Sequence, residues 1–224
     1  MNKKRRTLLR SCLALTAVLP SLSFAQSQAA KPESVSPVYV VKYVSFSCNF
    51  CRAAEQGDTL VEQAVRGSGG EVSVAPVDTM ENPSYIRERL YYASRKHGAE
   101  IAQRVRAAMF SATQDHGLTF TSMESLNTWL AVNAADWMDD TLRKALIQEA
   151  GLDETTGAIG RALRLARSAG VDVLPSYVIV QDGDVKAVFD RQGYPSLHDL
   201  RDKLARRISE MVPIRTTQPV KERP

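Results

Sequence analysis

Three cysteines in 224 residues are too few for a fold stapled by disulfides. Three histidines, His97, His116 and His198, together with Cys12, are the further ligand candidates for zinc, and no two of them stand at ligand spacing. The extended apolar run at the start, residues 8–22, is interrupted by Arg10 and Pro20 and is too short to span a bilayer, so stable membrane insertion is not expected. A basic patch is missing as well. The formal net charge of +4 owes five of its 29 basic residues to Lys3, Lys4, Arg5, Arg6 and Arg10, and without that segment 24 basic residues face 25 acidic ones. Such a balance argues against nucleic acid as a partner. Glycine and proline, at 12 and 10 residues, are too sparse for a low-complexity or fibrous chain.

What the first 25 residues do contain is an export pattern. Lys3-Lys4-Arg5-Arg6 is a basic n-region, residues 8–22 are mostly apolar, and Ser23-Phe24-Ala25 offers small residues where a signal peptidase reads, predicting cleavage after Ala25. Cys12 comes too early for lipoprotein processing. Residues 26–37, rich in Ser, Gln, Ala and Pro, read as a flexible lead. The exported chain then keeps only Cys48 and Cys51, in a compartment where thiols tend to oxidise.

Those two cysteines lie in Ser45-Phe46-Ser47-Cys48-Asn49-Phe50-Cys51-Arg52. An apolar run, 38–44, reads as a buried strand before them, and a helical pattern follows through about residue 65. A cysteine at a strand-to-helix turn faces the first free N–H groups and the positive end of the helix dipole, which favours its thiolate. Cys51, one turn on, is near enough to close a small ring and to resolve a mixed disulfide. The spacing alone also fits half of a zinc site or an inert structural disulfide.

The rest of the chain has an order. A Gly-rich turn at 67–70 leads to a second strand, 71–77, with Val72, Val74 and Val77 apolar, and Pro76 predicts that it lies at a sheet edge or ends there. Strand, helix, strand of this length implies a parallel pair. Residues 82–170 then turn helical, with five segments: from Asn82-Pro83 to about 96; 100–114; from Thr121 with Glu124 as a capping box; 136–149; and from Asp153, where Gly157 and Gly160 predict close approach to a neighbour. Residues 171–175 precede an apolar strand, 176–180, and Asp182-Gly183 turns the chain into 185–189, an antiparallel hairpin. A closing helix from about Pro195 carries Leu197, Leu200, Leu204 and Ile208, and residues 212–224 read as a loose tail.

With β-α-β, a helical block, then β-β-α around a C-x-x-C at the first helix start, the chain resembles the DsbA family of periplasmic thiol-disulfide oxidoreductases. The resemblance spans about 38–208 and rests on Phe46-Ser47-Cys48-Asn49-Phe50-Cys51, on Glu55, and on Val173-Leu174-Pro175 directly before a strand. It implies an α/β, thioredoxin-like fold formed by 38–81 and 171–211, with 82–170 as an inserted helical subdomain. It implies Cys48 and Cys51 as catalytic residues and redox-active disulfide, no further cofactor and no metal, and Pro175 as a cis-proline beside the sulfurs. A cis bond there would turn the Leu174 backbone outward to hold an extended substrate strand. The implied partners are reduced exported proteins in the periplasm and a DsbB-like membrane oxidase for recycling, with the protein itself a monomer.

Two departures from the family bear on reactivity. Where DsbA-type oxidases often have Pro-His between the cysteines, Asn49-Phe50 brings no cation, so the Cys48 pKa is expected to be less depressed than in the strongest oxidants. Where DsbA has a buried acid in the preceding strand, this chain has Lys42, which would favour the thiolate if it pointed under the cysteines and do nothing if it pointed to solvent. Glu55, four residues after Cys51, falls on the same helical side and could relay a proton. Readings of another kind remain: a reductase or isomerase of the same fold, although 26–37 is too short for the dimerisation domain of the family's isomerases, or a module that binds clients or a metal without catalysis.

Overall fold

Strand alternation decides which side of the sheet each residue of the first strand serves. In β1, Tyr39–Val44, Val40 joins one apolar cluster with Val38, Tyr177 and Ile179, while Tyr43 joins a second on the opposite face with Val178 and Ala166. Lys42, two residues from Val40, therefore points to the first face. The structure, a computed structural model, describes residues 36–77 and 85–212. The export signal, most of the lead, the Asn82-Pro83 helix start and the tail beyond Val212 lie outside the described residues.

Four strands form one sheet in the order β2-β1-β3-β4. β2, Val72–Pro76, runs parallel to β1 with Val40 opposite Val72. It is an edge strand and Pro76 is its last residue, which costs no ladder bond. β3, Ser176–Gln181, runs antiparallel to β1, and β4, Asp184–Asp190, antiparallel to β3. Asp182 and Gly183 both take positive φ, 57° and 81°, the geometry that a two-residue hairpin turn requires.

α1, Asn49–Ala53, and α2, Thr59–Gly67, follow β1, and α8, Leu197–Met211, closes the chain. Val61 and Val65 of α2 and Leu200, Leu204 and Ile208 of α8 cover the first face of the sheet. Between β2 and β3 stand α3, Ile86–Ser94; α4, Ala99–Gln114; α5, Met123–Asn133; α6, Asp140–Ala150; and α7, Asp153–Ser168. Their core, with Leu90, Met109, Leu126, Leu130 and Leu146, is continuous with Val44, Phe46 and Cys51. Phe46 meets Phe110 of α4 edge to face, centroids 5.1 Å apart. The helical insertion thus packs directly under the turn that carries the cysteines.

Several expectations are corrected. The helix expected from residue 53 through 65 is replaced by two, α1 ending at Ala53 and α2 starting at Thr59, with Gly57 at φ 92° in the break between them. The capping box of α5 is Ser122 with Ser125, whose side chains bond reciprocally to each other's backbone N–H at 3.1 and 3.3 Å, not Thr121 with Glu124. α6 starts at Asp140 rather than 136, because the Asp139 carboxylate accepts from the Leu142 N–H at 2.7 Å and leaves Trp137 in the preceding turn. Gly157 and Gly160 admit no neighbouring element: a Cβ at either would meet only an arginine of the same helix, Arg161 or Arg164, at 3.5 Å.

Gly70, by contrast, is needed for a close approach, since a Cβ there would fall 1.7 Å from the Val38 carbonyl oxygen. Gly70→Ala is expected to cost about 3 kcal/mol or more in urea unfolding, because backbone rather than a flexible side chain blocks the added methyl. Gly67→Ala, with nothing within 4 Å, is expected to stabilise by about 0.5 kcal/mol.

Candidate functional site

Cys48 caps α1. Its backbone is extended, φ −93° and ψ 113°, and its Sγ accepts the Cys51 N–H at 3.1 Å. Both cysteines are free thiols here, Cys48 half-buried and Cys51 buried. Hydrogen bonding from Cys51, first through its side chain and then with backbone help from Cys51 and Phe50, outweighs burial and brings the Cys48 pKa from its ordinary 9.0 to about 7. The Cys51 thiol is pushed far up by its bond to Cys48 and by burial, against a downward pull from Ser45 and the Lys42 charge. The two sulfurs thus hold one proton firmly, on Cys51, and release the other near neutrality. α1 has only five residues, so the Cys51 side chain, helped by local N–H groups, does this work and little macrodipole stands behind them.

On its other side the Cys48 thiol lies 3.6 Å from the Leu174 carbonyl oxygen, as donor to it. The Leu174–Pro175 peptide is cis. Pro175 is buried and Leu174 half-buried, while Asn49 and Phe50 are exposed. Over the Phe50 ring, 4.9 Å from its centroid, sits the Arg191 guanidinium from the loop after β4.

Beneath Cys51 is a buried charge cluster. Lys42, 2% exposed, donates to the Ala54 carbonyl, to Asp58 Oδ2 at 2.6 Å and to Glu55 Oε1 at 3.5 Å. Asp58 Oδ1 also accepts from Arg201 Nε of α8 at 2.8 Å and from the Tyr177 hydroxyl of β3 at 2.9 Å. Glu55 Oε2 accepts from Arg106 Nε of α4. Of the two orientations the sequence left open for Lys42, the structure has the inward one, but its charge acts on Cys51 and not on Cys48, so it does not replace the missing histidine. Glu55 lies beyond the end of α1, so helical spacing is not what brings it near Lys42. Arg201 also donates to the Ala54 carbonyl at 3.1 Å and to the Gln56 carbonyl, so the break between α1 and α2 is filled by side chains.

Sequence reasoning missed Asp58, Arg106, Gln114, Arg191 and Arg201. Gly57-Asp58 before Thr59 was a readable break, passed over because the apolar spacing on either side continues. The others stand 50 or more residues from the motif and carry no local signal. Among the described residues no group of three or more His, Cys, Asp and Glu is placed to hold a metal ion, and no helix is long and apolar enough to cross a membrane.

The Cys48 thiolate is expected to titrate with a midpoint near pH 7, read by its ultraviolet absorbance or alkylation rate. Because the folded value lies below the ordinary 9.0, the reduced protein should gain stability as pH rises from about 7 to about 9 and lose that gain as pH falls through 7. Asp58→Asn, which leaves Lys42 and Arg201 buried with one carboxylate fewer, is expected to cost about 3–5 kcal/mol in urea unfolding. Asp115→Asn weakens the exposed Arg52–Asp115 pair and a bond to Ser111 and should leave the unfolding midpoint near the native one.

No protein-family model matches the chain, and no curated protein matches it by sequence. Solved structures do match by fold. Pseudomonas aeruginosa DsbA superposes with a TM-score of 0.61 over 81% of this chain and 85% of that one, at 17% identity. The oxidoreductase NmDsbA1 of Neisseria meningitidis gives 0.54 over 83% and 87% at 16% identity. Salmonella enterica serovar Typhimurium SrgA gives 0.55 over 77% and 91% at 15% identity. With the sheet, the helical domain between β2 and β3, and the cysteine turn over both, the chain has the fold of the DsbA proteins.

Proposed function

We propose that the chain is a periplasmic thiol-disulfide oxidoreductase that donates a Cys48–Cys51 disulfide to reduced exported proteins. The observation that carries this reading is the asymmetry of the pair: Cys48 is half-exposed with its thiolate favoured near neutrality, and Cys51 is buried with its proton held. A client thiolate attacks Cys48 Sγ of the disulfide, the Cys48–Cys51 bond breaks, and Cys51 leaves as a thiolate that takes up a proton. A second client thiolate then attacks the client sulfur of the mixed disulfide and Cys48 leaves as its thiolate. Two electrons have passed from client to protein. A membrane oxidase resembling DsbB is the class of partner that would take them up.

The supporting residues have separable roles. The Lys42 charge favours Cys51 as a leaving thiolate. Both oxygens of Glu55 are engaged by Lys42 and Arg106, so we assign Glu55 a tie between α4 and β1 in place of a proton relay. Leu174 presents its backbone beside Cys48 for main-chain pairing with an extended client, with Pro175 buried behind it.

A second reading, a reductant of the same fold, is favoured by one observation: a Cys48 pKa of about 7 equals that of thioredoxin, a reductant, and lies above the roughly 3.5 of DsbA. Equilibration with glutathione separates the two. We expect a reduction potential more oxidising than about −180 mV, between protein disulfide isomerase and DsbA. A more reducing value would make the protein a disulfide reductant. Cys51→Ala is expected to accumulate mixed disulfides with exported proteins, whereas a module that binds without exchange would accumulate none.

A further inference from the structure

Three contacts fasten the chain around the cysteines, residues 46–55, to α4 and its C-cap Asp115. At the far end Arg106 holds Glu55, and at the near end Arg52 forks onto Asp115 while Gln114 reaches the loop that carries Cys48. The Arg52–Asp115 pair is 40% and 44% exposed, where solvent screens such pairs to little. Arg106 belongs to the charge cluster. Gln114 is neutral, half-buried, and donates from Nε2 to the Phe46 carbonyl at 2.8 Å and the Cys48 carbonyl at 3.2 Å. Since both partners are acceptors, only the amide NH2 can face them, and the orientation of the side chain is determined.

The Cys48 carbonyl has a second duty. It accepts the Arg52 N–H at 3.1 Å, the first bond of α1. A helix of five residues is too short to hold its own start against fraying, and where the Cys48 carbonyl points decides the backbone angles of residue 48 and hence the direction of its sulfur. Gln114 supplies from the helical insertion the restraint that α1 lacks. We propose that Gln114 is a positioning residue for Cys48: by donating to the Phe46 and Cys48 carbonyls it keeps residue 48 in the extended cap conformation that aims Sγ at the Cys51 N–H. The proposal rests on Cys48 being the reactive sulfur. It makes Gln114 a route by which the helical insertion acts on the redox turn.

The test is the pH dependence of iodoacetamide alkylation of the reduced protein, native against Gln114→Met and Gln114→Glu, with thermal unfolding in parallel. Met removes the donors at similar volume. Its titration midpoint is expected to rise by about one pH unit, making alkylation at pH 6 about tenfold slower. Glu keeps the side chain's shape but turns a carboxylate on two carbonyls, and its midpoint is expected to rise further. Midpoints that stay at the native value in both variants, whatever the thermal transitions do, overturn the proposal and leave Gln114 a structural tie. Because the reagent is a small molecule, the result is independent of any client: shifted titrations alongside a Cys51→Ala variant that traps no exported protein would sink the proposed function and keep Gln114 in its role.

Discussion

A lysine on a central strand, 2% exposed and beside the cysteine turn, is the constraint around which the rest is built. An ammonium group taken out of water costs several kcal/mol unless carboxylates and carbonyls replace its hydration. Lys42 finds them by drawing on almost every layer: Asp58 from the break between α1 and α2, Glu55 from the end of the cysteine turn, and the Ala54 carbonyl. The carboxylates in turn recruit Arg201 from α8, Tyr177 from β3 and Arg106 from α4. Three cations and two carboxylates leave this cluster one positive charge in excess. Part of that excess is felt by the Cys51 thiol, whose ionisation the Lys42 charge favours.

That charge pulls on Cys51 and not on Cys48, so it does not stand in for a cation between the cysteines. Asn49 and Phe50 face solvent, and the Arg191 guanidinium lies over the Phe50 ring. Cys48 depends instead on hydrogen bonds from Cys51 and its neighbours, which hold its pKa at about 7. A longer first helix would add dipole and lower it further. Yet a longer helix would close the Ala54 and Gln56 carbonyls that Lys42 and Arg201 use. Charge burial beneath Cys51 and helix length behind Cys48 are therefore in competition, and the structure resolves it toward the cluster.

Much of the architecture was legible because it follows from periodicity. Alternating or continuous valines mark β1 and β2, Pro76 marks an edge, Asp182-Gly183 marks a hairpin, and leucines at helical spacing mark α8. Errors fell where a local signal competed with tertiary partners. Thr121 and Ser122 both look like caps, and which one caps depends on how α5 docks. The apolar spacing through residue 65 continues across a break made by Gly57 and filled by arginine and lysine side chains. Gly157 and Gly160 look like contact points, yet their side of α7 meets no neighbour.

The sequence by itself determined where the cysteines stand: one turn apart, between a buried strand and a helix start, ahead of a Leu-Pro step at a strand. These are local matters of spacing and backbone preference, which act before any long-range contact forms. Only the tertiary structure decided the environment of the sulfurs: that Lys42 points inward, that both oxygens of Glu55 are taken, and that Gln114, 66 residues on, holds the Cys48 carbonyl. Such contacts are set by how layers pack, and a glutamine or arginine far along the chain has no pattern of its own to announce where packing will bring it.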